Sequence, residues 1–369
     1  MTDHQAIARE QSAVRDPDGP VRLCDGRGLK RLIRSGLAWL ERHQAAINAL
    51  NVYPVPDGDT GTNMLLTMQS AYQEIQESPE EEVGTIAQKV AHGALMGARG
   101  NSGVILSQIF RGFARSLEGV AAFDSVQFAA AMREAATMAY KGVIKPVEGT
   151  ILTVAREASE VAVTAAAGSE NLVYVLERVV REARDSVTRT PSLLPVLAEA
   201  GVVDAGGQGL FVILEGMLRY SRGERLTIDT DLTAAMDLHT LHLEAEEGYG
   251  YDIQFVVHGE DLDVEEIRET IASMGDCALV VGDSRVVKVH VHSPEPGTPI
   301  NYGASVGSLS QVIVENMQEQ YQDFILSKAQ QPTLPPEPLS GIGTVIVAPG
   351  KGLATVFESL GASFVVPGG

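Results

Sequence analysis

The sequence predicts a multidomain chain: an all-α up-and-down antiparallel bundle, then a small α+β domain, then an incomplete α/β segment. Three observations predict it. Apolar residues recur at helical spacing from Asp25 to Tyr220. The period changes to alternation at Tyr251, Ile253, Phe255 and Val257, the mark of a half-buried strand. A Pro-rich run, Gln330 to Pro338, then sets off a strand–helix–strand pattern too short to bury its own faces. The limits read from these shifts are a disordered tail at 1–20, a helical domain at 21–225, a polar acidic linker at 226–247, an α+β domain at 248–329, an extended linker at 330–341 and an incomplete α/β domain at 342–369.

In order, Asp25 is placed to cap a helix carrying Leu29, Leu32, Ile33, Leu37, Leu40 and Ile47 on one face. That helix enters Asn51-Val-Tyr-Pro-Val-Pro-Asp-Gly-Asp-Thr-Gly-Thr-Asn63, and a second follows from Met64 to Glu77. Pro79 and an acidic run break it, and Val83–Ala98 reads as the third. Gly100-Asn-Ser-Gly103 precedes the fourth, and Phe123–Lys141 reads as the fifth. Glu148-Gly-Thr150 opens the sixth, Leu172–Val187 is the seventh, and Val203-Asp-Ala-Gly-Gly-Gln-Gly209 leads into the eighth. Beyond the linker come a strand at Tyr251–Val257 and a helix at Val264–Met274. A hairpin follows, turning at Gly282-Asp-Ser, with helical patterns at Pro299–Ser305 and Ser308–Ala329. The last pattern, Gly343 to Val366, stops in mid-domain, so the sequence reads as a fragment of a longer protein.

Composition narrows the function. The 48 acidic against 28 basic residues leave a net charge of −20, which argues against nucleic acid or an anionic membrane surface as main partner. No run approaches the ~20 apolar residues of a membrane span. The polar start, Met1 to Pro20, carries no signal-peptide core, so a cytoplasmic location is expected. Two cysteines, Cys24 and Cys277, make neither a disulfide framework nor a Cys-rich zinc motif.

The chemistry concentrates at Asp57-Gly-Asp59. Two carboxylates sit one residue apart in a loop stiffened by Pro54 and Pro56, with Thr60, Thr62 and Asn63 just before a helix. Hard cations such as Mg²⁺ take carboxylate and phosphate oxygens. Helix N-termini take anions. Asp-Gly-Asp is also ordinary turn and cap composition. An EF-hand fails, because the fifth and sixth loop positions carry the wrong residues. A phosphatase-type nucleophile would end a buried strand, which two prolines disfavour. Parity decides for a shared site. Four Gly-rich junctions, at 57–63, 100–103, 149–153 and 204–209, are each separated by two long helices. In an antiparallel bundle two helices return the chain to the end it left, so all four meet at one mouth. The Gly-x4-Gly-Lys-Ser/Thr pattern of a P-loop is absent.

At these residues the chain resembles a known family. Asn51 to Met64, Gly97-Ala-Arg-Gly-Asn-Ser-Gly103, Gly149-Thr-Ile-Leu152 and Val203-Asp-Ala-Gly-Gly207 resemble the nucleotide-binding L domain of dihydroxyacetone kinases (the DAK2 family). The wording is most similar to the A subunit of bacterial fatty acid kinase. Tyr249-Gly-Tyr, Val287-Lys-Val-His-Val-His292 and Val314-Glu-Asn-Met317 resemble its middle domain. The resemblance implies an eight-helix barrel holding ATP through two Mg²⁺, and a homodimer formed with help from the middle domain. It implies phosphorylation of a fatty acid presented by a separate DegV-type acyl-binding protein. It places Asp57 and Asp59 as metal ligands, with Asn51 near a third ligand position. Asn101, Ser102 and Gly103 match the phosphate-cradling turn, and Thr150, Asp204 and Gly206 match rim segments around the nucleotide; Thr60, Thr62, Asn63 and Gly100 are expected to bind the cofactor with them. One position departs from the family. A cysteine is expected after Tyr249-Gly-Tyr, grouped with His290 and His292, and here it is Asp252. A Zn²⁺ site of Asp252, His290 and His292 and ordinary strand-face histidines both remain open.

Phosphoryl transfer suits the residues, because its catalysis is mostly positioning and charge neutralisation. A carboxylate acceptor is already ionised at neutral pH, so no general base is required. The rivals are a Mg²⁺-dependent phosphatase, a non-catalytic nucleotide-binding scaffold, and a kinase of a small polyol such as dihydroxyacetone.

Overall fold

The computed structural model describes residues 20–224, 250–320, 344–349, 357 and 364–368. The expectations for the N-terminal tail and both linkers lie outside the described residues, as does the helix expected at Gly352–Leu360, save one position.

The first part is helical: α1 (Gly26–Ala49), α2 (Thr60–Gln73), α3 (Val83–Gly97), α4 (Gly100–Ser116), α5 (Ser125–Gly142), α6 (Ile151–Gly168), α7 (Leu172–Leu193), the short α8 (Pro195–Ala200) and α9 (Ala205–Ser221). Local signals start them. The Asp25 carboxylate accepts the Gly28 N–H at 2.8 Å, and Asp124 with Gln127 forms a capping box on α5. Each long helix packs on the next, and α9 returns against α1, which closes an eight-helix barrel as expected. Leu40, Ile47, Met64, Met68, Ile86, Leu106 and Leu152 are buried in its core. The closing seam is tight. A Cβ at Gly216 would lie 2.6 Å from the Trp39 Cβ, so α9 and α1 nearly touch backbone to backbone. Trp39 Nε1 donates to Glu215 Oε2 at 2.9 Å, and the Arg219 guanidinium lies 4.4 Å from the Trp39 ring centre. A two-residue pair, β1 (Cys24–Asp25) with β2 (Ala122–Phe123), ties the start of α1 to the start of α5.

The second part is an antiparallel sheet in the order β4-β5-β3-β6, from β3 (Tyr251–His258), β4 (Asp276–Gly282), β5 (Val286–Ser293) and β6 (Ser308–Asn316), with α10 (Val264–Ala272) and α11 (Gly297–Val306). One face is apolar: Ile253, Phe255, Val257, Val287, Val289 and Val291 pack with Ile267 and Ile271 of α10. The other face meets the barrel. Leu279 and Val281 pack on Ala98 and Val104, and Arg111 donates to the Gly282 carbonyl at 2.7 Å.

β6 corrects the helix expected from Ser308 onward. Val312, Ile313 and Val314 are β-branched, and backbone pairing with β3 outweighs the apolar spacing that reads as helical. At the far end of the sequence, β7 (Val345–Pro349) and β8 (Phe364–Gly368) pair in parallel, as a strand–helix–strand unit requires.

A close helix crossing gives a test. A Cβ at Gly112 of α4 would lie 2.4 Å from the Glu134 carbonyl oxygen and 2.6 Å from the Ala135 Cα, both on α5. Gly112→Ala gains up to about 1 kcal/mol of helix propensity, yet forcing two backbones apart costs about 1–3 kcal/mol. The expected net result is a lower melting temperature by a few degrees, read by calorimetry; an unchanged or higher value would mean that the crossing is looser than described.

Candidate functional site

The acid loop joins α1 to α2 and is organised by Asn51. This residue is 3% exposed. Its Nδ2 donates to the Val55 carbonyl at 3.2 Å and to Asp57 Oδ1, and its Oδ1 accepts the Thr60 hydroxyl at 2.6 Å. The amide is therefore engaged within the loop, and Asn51 positions Asp57. Thr62 is likewise occupied: its hydroxyl accepts from Gln44 Nε2 at 2.8 Å and Asn48 Nδ2 at 3.0 Å, which anchors the start of α2 to the end of α1. Asn63 hydrogen-bonds the Asp59 carboxylate.

Asp57 and Asp59 keep some exposed surface, yet protein encloses them closely enough that enclosure, more than solvent, sets their acidity. Enclosure pushes the Asp57 carboxyl well above the usual range, and the neighbouring Asp59 adds to it. Asp59 is also raised by enclosure, although bonds to Asp57 and Asn63 work the other way. Two carboxyls so placed titrate as a coupled pair, and a cation beside them would favour their charged forms.

Four helix N-termini converge beside this loop. A cavity of about 330 Å³ is lined by Thr60 of α2, Asn101 and Ser102 of α4, Thr150 and Ile151 at α6, and Asp204 and Gly206 at α9. The four junctions do meet at one rim. Asp57 and Asp59 themselves are not in the cavity wall, and neither are Thr62, Asn63, Gly100 and Gly103; they flank it. The caps differ in a telling way. Thr150 and Asp204 cap α6 and α9 with their own side chains. By contrast α2 and α4, the two that start next to the carboxyl pair, are not capped by their own N-cap residues; Asn48 Oδ1 accepts the Thr62 N–H at 3.1 Å, and Gln254 on the sheet reaches the Gly100 N–H. Helix starts of this kind suit an anion at the N–H groups of Asn101 and Ser102. Gly100 holds φ +53° and a Cβ there would lie 2.4 Å from Asn63 Nδ2, so only glycine brings α4 this close to the loop. Asp204 shapes the floor: it accepts the Gly207 N–H at 2.6 Å and bonds the Ile151 N–H, which joins α9 to α6. Burial pushes its carboxyl up to about 6 in spite of these donors.

The sheet supplies a third group. Asp252 on β3 and His290 and His292 on β5 offer ligand atoms all within 4.8 Å of one another, and all three residues are buried. They are not ordinary surface histidines. His290 Nδ1 lies 3.1 Å from Asp252 Oδ1, but the approach is misaligned, so that oxygen and both His290 nitrogens have no hydrogen-bond partner. Buried orphan lone pairs on a carboxylate and an imidazole fit a divalent ion. Burial pushes His292 down to about 4, with His290 adding to the effect. For Asp252, burial pulls upward, but the two imidazoles outweigh it and hold the carboxyl below its usual range. Gln254 links the groups: Nε2 donates to Asp252 Oδ2 at 3.0 Å, and Oε1 accepts the Gly100 N–H at 3.2 Å. Asp252 also contributes to the raised acidity range of both Asp57 and Asp59, so the two clusters lie within electrostatic reach.

Sequence reasoning missed Gln254, Glu315 and Lys288. Glu315 stands opposite Asp252 in the β3–β6 register and is raised by enclosure and by Asp252. Lys288 is 1% exposed, and burial brings it down to about 8. The available signal was alternation: polar residues at 252 and 254, and at 288, 290 and 292, mark one face of otherwise apolar strands.

Residues 54–219 match the DAK2 domain family, and residues 248–324 match the family of middle domains like that of the fatty acid kinase A protein. The chain is similar to protein YloV of Bacillus subtilis, at 40% identity over 364 residues, 95% of this chain and 66% of that protein. It is similar to an uncharacterized protein of Staphylococcus saprophyticus, at 38% identity over 363 residues, 95% of this chain and 66% of that one. It is also similar to an uncharacterized protein of Staphylococcus aureus, at 39% identity over 357 residues, 94% of this chain and 65% of that one. The chain thus spans about 66% of the length of the curated relatives it matches. Among solved structures, the dihydroxyacetone kinase of C. freundii aligns at a TM-score of 0.38 and 19% identity over 52% of this chain and 34% of that one, too slight a likeness to argue from. The chain belongs to the DAK2-domain family, in the arrangement where a middle domain of the fatty acid kinase type follows.

Asp204 gives a pH test. Its folded carboxyl titrates near 6 against about 3.9 in an unfolded chain. The folded state therefore holds the proton more tightly, and stability is present below pH 4 and lost as the pH rises through about 6. Asp204→Asn keeps a cap but cannot ionise. Between pH 4 and 7 the difference in unfolding free energy between the two proteins should move against the unmodified chain by up to about 3 kcal/mol, at roughly 1.4 kcal/mol per pKa unit. Parallel denaturation curves at both pH values would contradict the assignment.

Proposed function

We propose that this chain is a nucleotide-binding kinase subunit that transfers the γ-phosphate of ATP, with Mg²⁺, to the carboxylate of a fatty acid held by a separate DegV-type acyl-binding protein. The observation that carries the reading is the enclosed Asp57–Asp59 pair beside two helix N-termini that are not capped by their own N-cap residues. An acid pair wants cations, and helix N-termini want anions, so a metal–polyphosphate answers both. The DAK2 match gives kinase-type chemistry, and the fatty acid kinase-like middle domain supports an acyl acceptor.

Asp57 and Asp59 would hold the Mg²⁺, two ions in this reading. Asn51 fixes Asp57 and Asn63 fixes Asp59. Bound Mg²⁺ supplies neutralisation of the charge that the phosphate oxygens carry as the γ-phosphoryl group moves. The N–H groups of Asn101 and Ser102 at the start of α4 face the phosphates, and Thr150, Asp204 and Gly206 shape the nucleotide rim. An acceptor carboxylate oxygen forms the new bond to γ-phosphorus while the bond to the β–γ bridging oxygen breaks, leaving ADP and an acyl phosphate. The acceptor arrives ionised, so none of the chain's groups has to remove a proton.

Asp252, His290 and His292 would hold a divalent ion such as Zn²⁺ across from that pair. Their unpartnered buried atoms support this second site. A homodimer fits the edge position of β6, which among the described residues pairs on one side alone and leaves Val312 45% and Val314 41% exposed.

Asp57→Ala with Asp59→Ala should lower Mg-ATP-dependent acyl phosphate formation by at least about 10²-fold and leave the far-ultraviolet helical signal intact. Unchanged turnover in the double variant refutes the metal assignment. Phosphate release from a monoester without nucleotide favours a phosphatase, and nucleotide binding without transfer to a loaded carrier favours a scaffold.

Elemental analysis of the purified chain should find a bound transition metal, with the content falling sharply in His290→Ala and His292→Ala. Equal metal content in the variants and the unmodified chain removes the second site.

A further inference from the structure

The cavity beside the acid loop has walls from both folded parts. Across from the barrel rim it is closed by Ala272 and by Gly275 to Leu279, the end of α10 and the start of β4. Its lining is polar at Thr60, Asn101, Ser102 and Asp204. It is apolar at Ile144, Val147, Leu152, Ala278 and Leu279. A cavity of about 330 Å³ that grades from polar to apolar suits a ligand with one anionic and one flat apolar end.

The β4 wall is shaped for the purpose by a bulge. Asp276 pairs with His292 and Leu279 with His290, so β4 carries one residue more than β5 between the same two rungs. Bulges re-aim a side chain and terminate regular pairing. Here Cys277 takes φ +53°, a left-handed conformation that a non-glycine residue adopts at a cost of about 1–2 kcal/mol. The result sets Cys277 in the cavity wall, electrostatically close to Tyr53 of the acid loop, which also feels Asp204. Without the extra residue, strand alternation would turn the side chain elsewhere.

We infer that the β4 bulge, Gly275 to Leu279, is the nucleoside-facing wall of this cavity: the sheet domain closes over the base and sugar, and Cys277 touches them. The inference rests on the nucleotide reading above and extends it, because it makes a segment outside the DAK2 match a determinant of which nucleotide fits. It also couples the two parts of the chain. A ligand gripped by both walls stabilises their apposition by its own binding free energy.

The test uses the full chain carrying Cys24→Ser, which leaves Cys277 as the single thiol. Magnesium-ADP should slow alkylation of Cys277 by N-ethylmaleimide at least fivefold, whereas magnesium-tripolyphosphate, which fills only the phosphate end, should not. Cys277→Phe should weaken ADP binding at least tenfold by calorimetry and leave tripolyphosphate binding unchanged, with Cys277→Ala close to the parent for both. Should the phenylalanine variant fail to fold, the alkylation rates decide alone. Equal rates with and without ADP, in a chain that calorimetry shows to bind ADP, overturn this inference and spare the nucleotide reading. Absence of ADP binding overturns both.

Discussion

Two carboxyls enclosed side by side cannot both ionise unless positive charge joins them. Asp57 and Asp59 are in that position, and the surrounding structure holds them there. Asn51 clamps Asp57 from inside the loop, Asn63 reaches Asp59 from α2, and Thr62 bolts the start of α2 to the end of α1. Each of these bonds would be wasted on an ordinary turn. Ordered carboxylates cost conformational freedom as well as solvation, and a loop that sustains both is preorganised for the cation proposed above.

The barrel makes the rest of the site follow from topology. Closure of α9 on α1 fixes eight long helices in alternation, so every second junction returns to the same rim. The rim then divides its work. Asp204 and Thr150 satisfy the starts of α9 and α6 and become fixed walls. The starts of α2 and α4 lack a cap from their own N-cap side chains; Asn48 takes the Thr62 N–H and Gln254 takes the Gly100 N–H. The sheet domain locks on at the same end, through the Gln254 carbonyl on Gly100 and the apolar contact of Leu279 and Val281 with Ala98 and Val104. Its polar face is thereby buried against the mouth instead of facing solvent.

Much of this was legible in the sequence because it depends on period and punctuation. Helical spacing gave the barrel, and glycine with hydroxyl residues gave the four junctions. The direction in which a side chain points is another matter. Asn51 and Thr62 have the chemistry of ligands, and only the packed loop shows that their polar atoms are already engaged. β6 reads as a helix because its apolar residues fit either period, and the partner that decides, β3, lies over fifty residues earlier. The sheet's polar face was half visible: His290 and His292 stood out, whereas the burial of Lys288 and the place of Glu315 opposite Asp252 depend on packing and strand register.

That polar face brings the charge problem back in a larger form. Asp252 and Glu315 stand opposite each other across paired strands, an arrangement that is unfavourable for like charges. Glu315 also feels Asp59, and Asp252 feels both loop acids, so four carboxyls share one neighbourhood. The fixed positive charge nearby is thin. Arg99 acts on Glu315, while Lys288 is itself pushed down by burial and by Arg99. His292 is held neutral over the physiological range by burial. Local side chains therefore do not balance the acids, and protonating them all would surrender the charge that the residue choice put there. Divalent ions on both sides of the interface, as proposed, would resolve the imbalance with the residues as they stand, one side presenting hard oxygens and the other a carboxylate with two imidazoles.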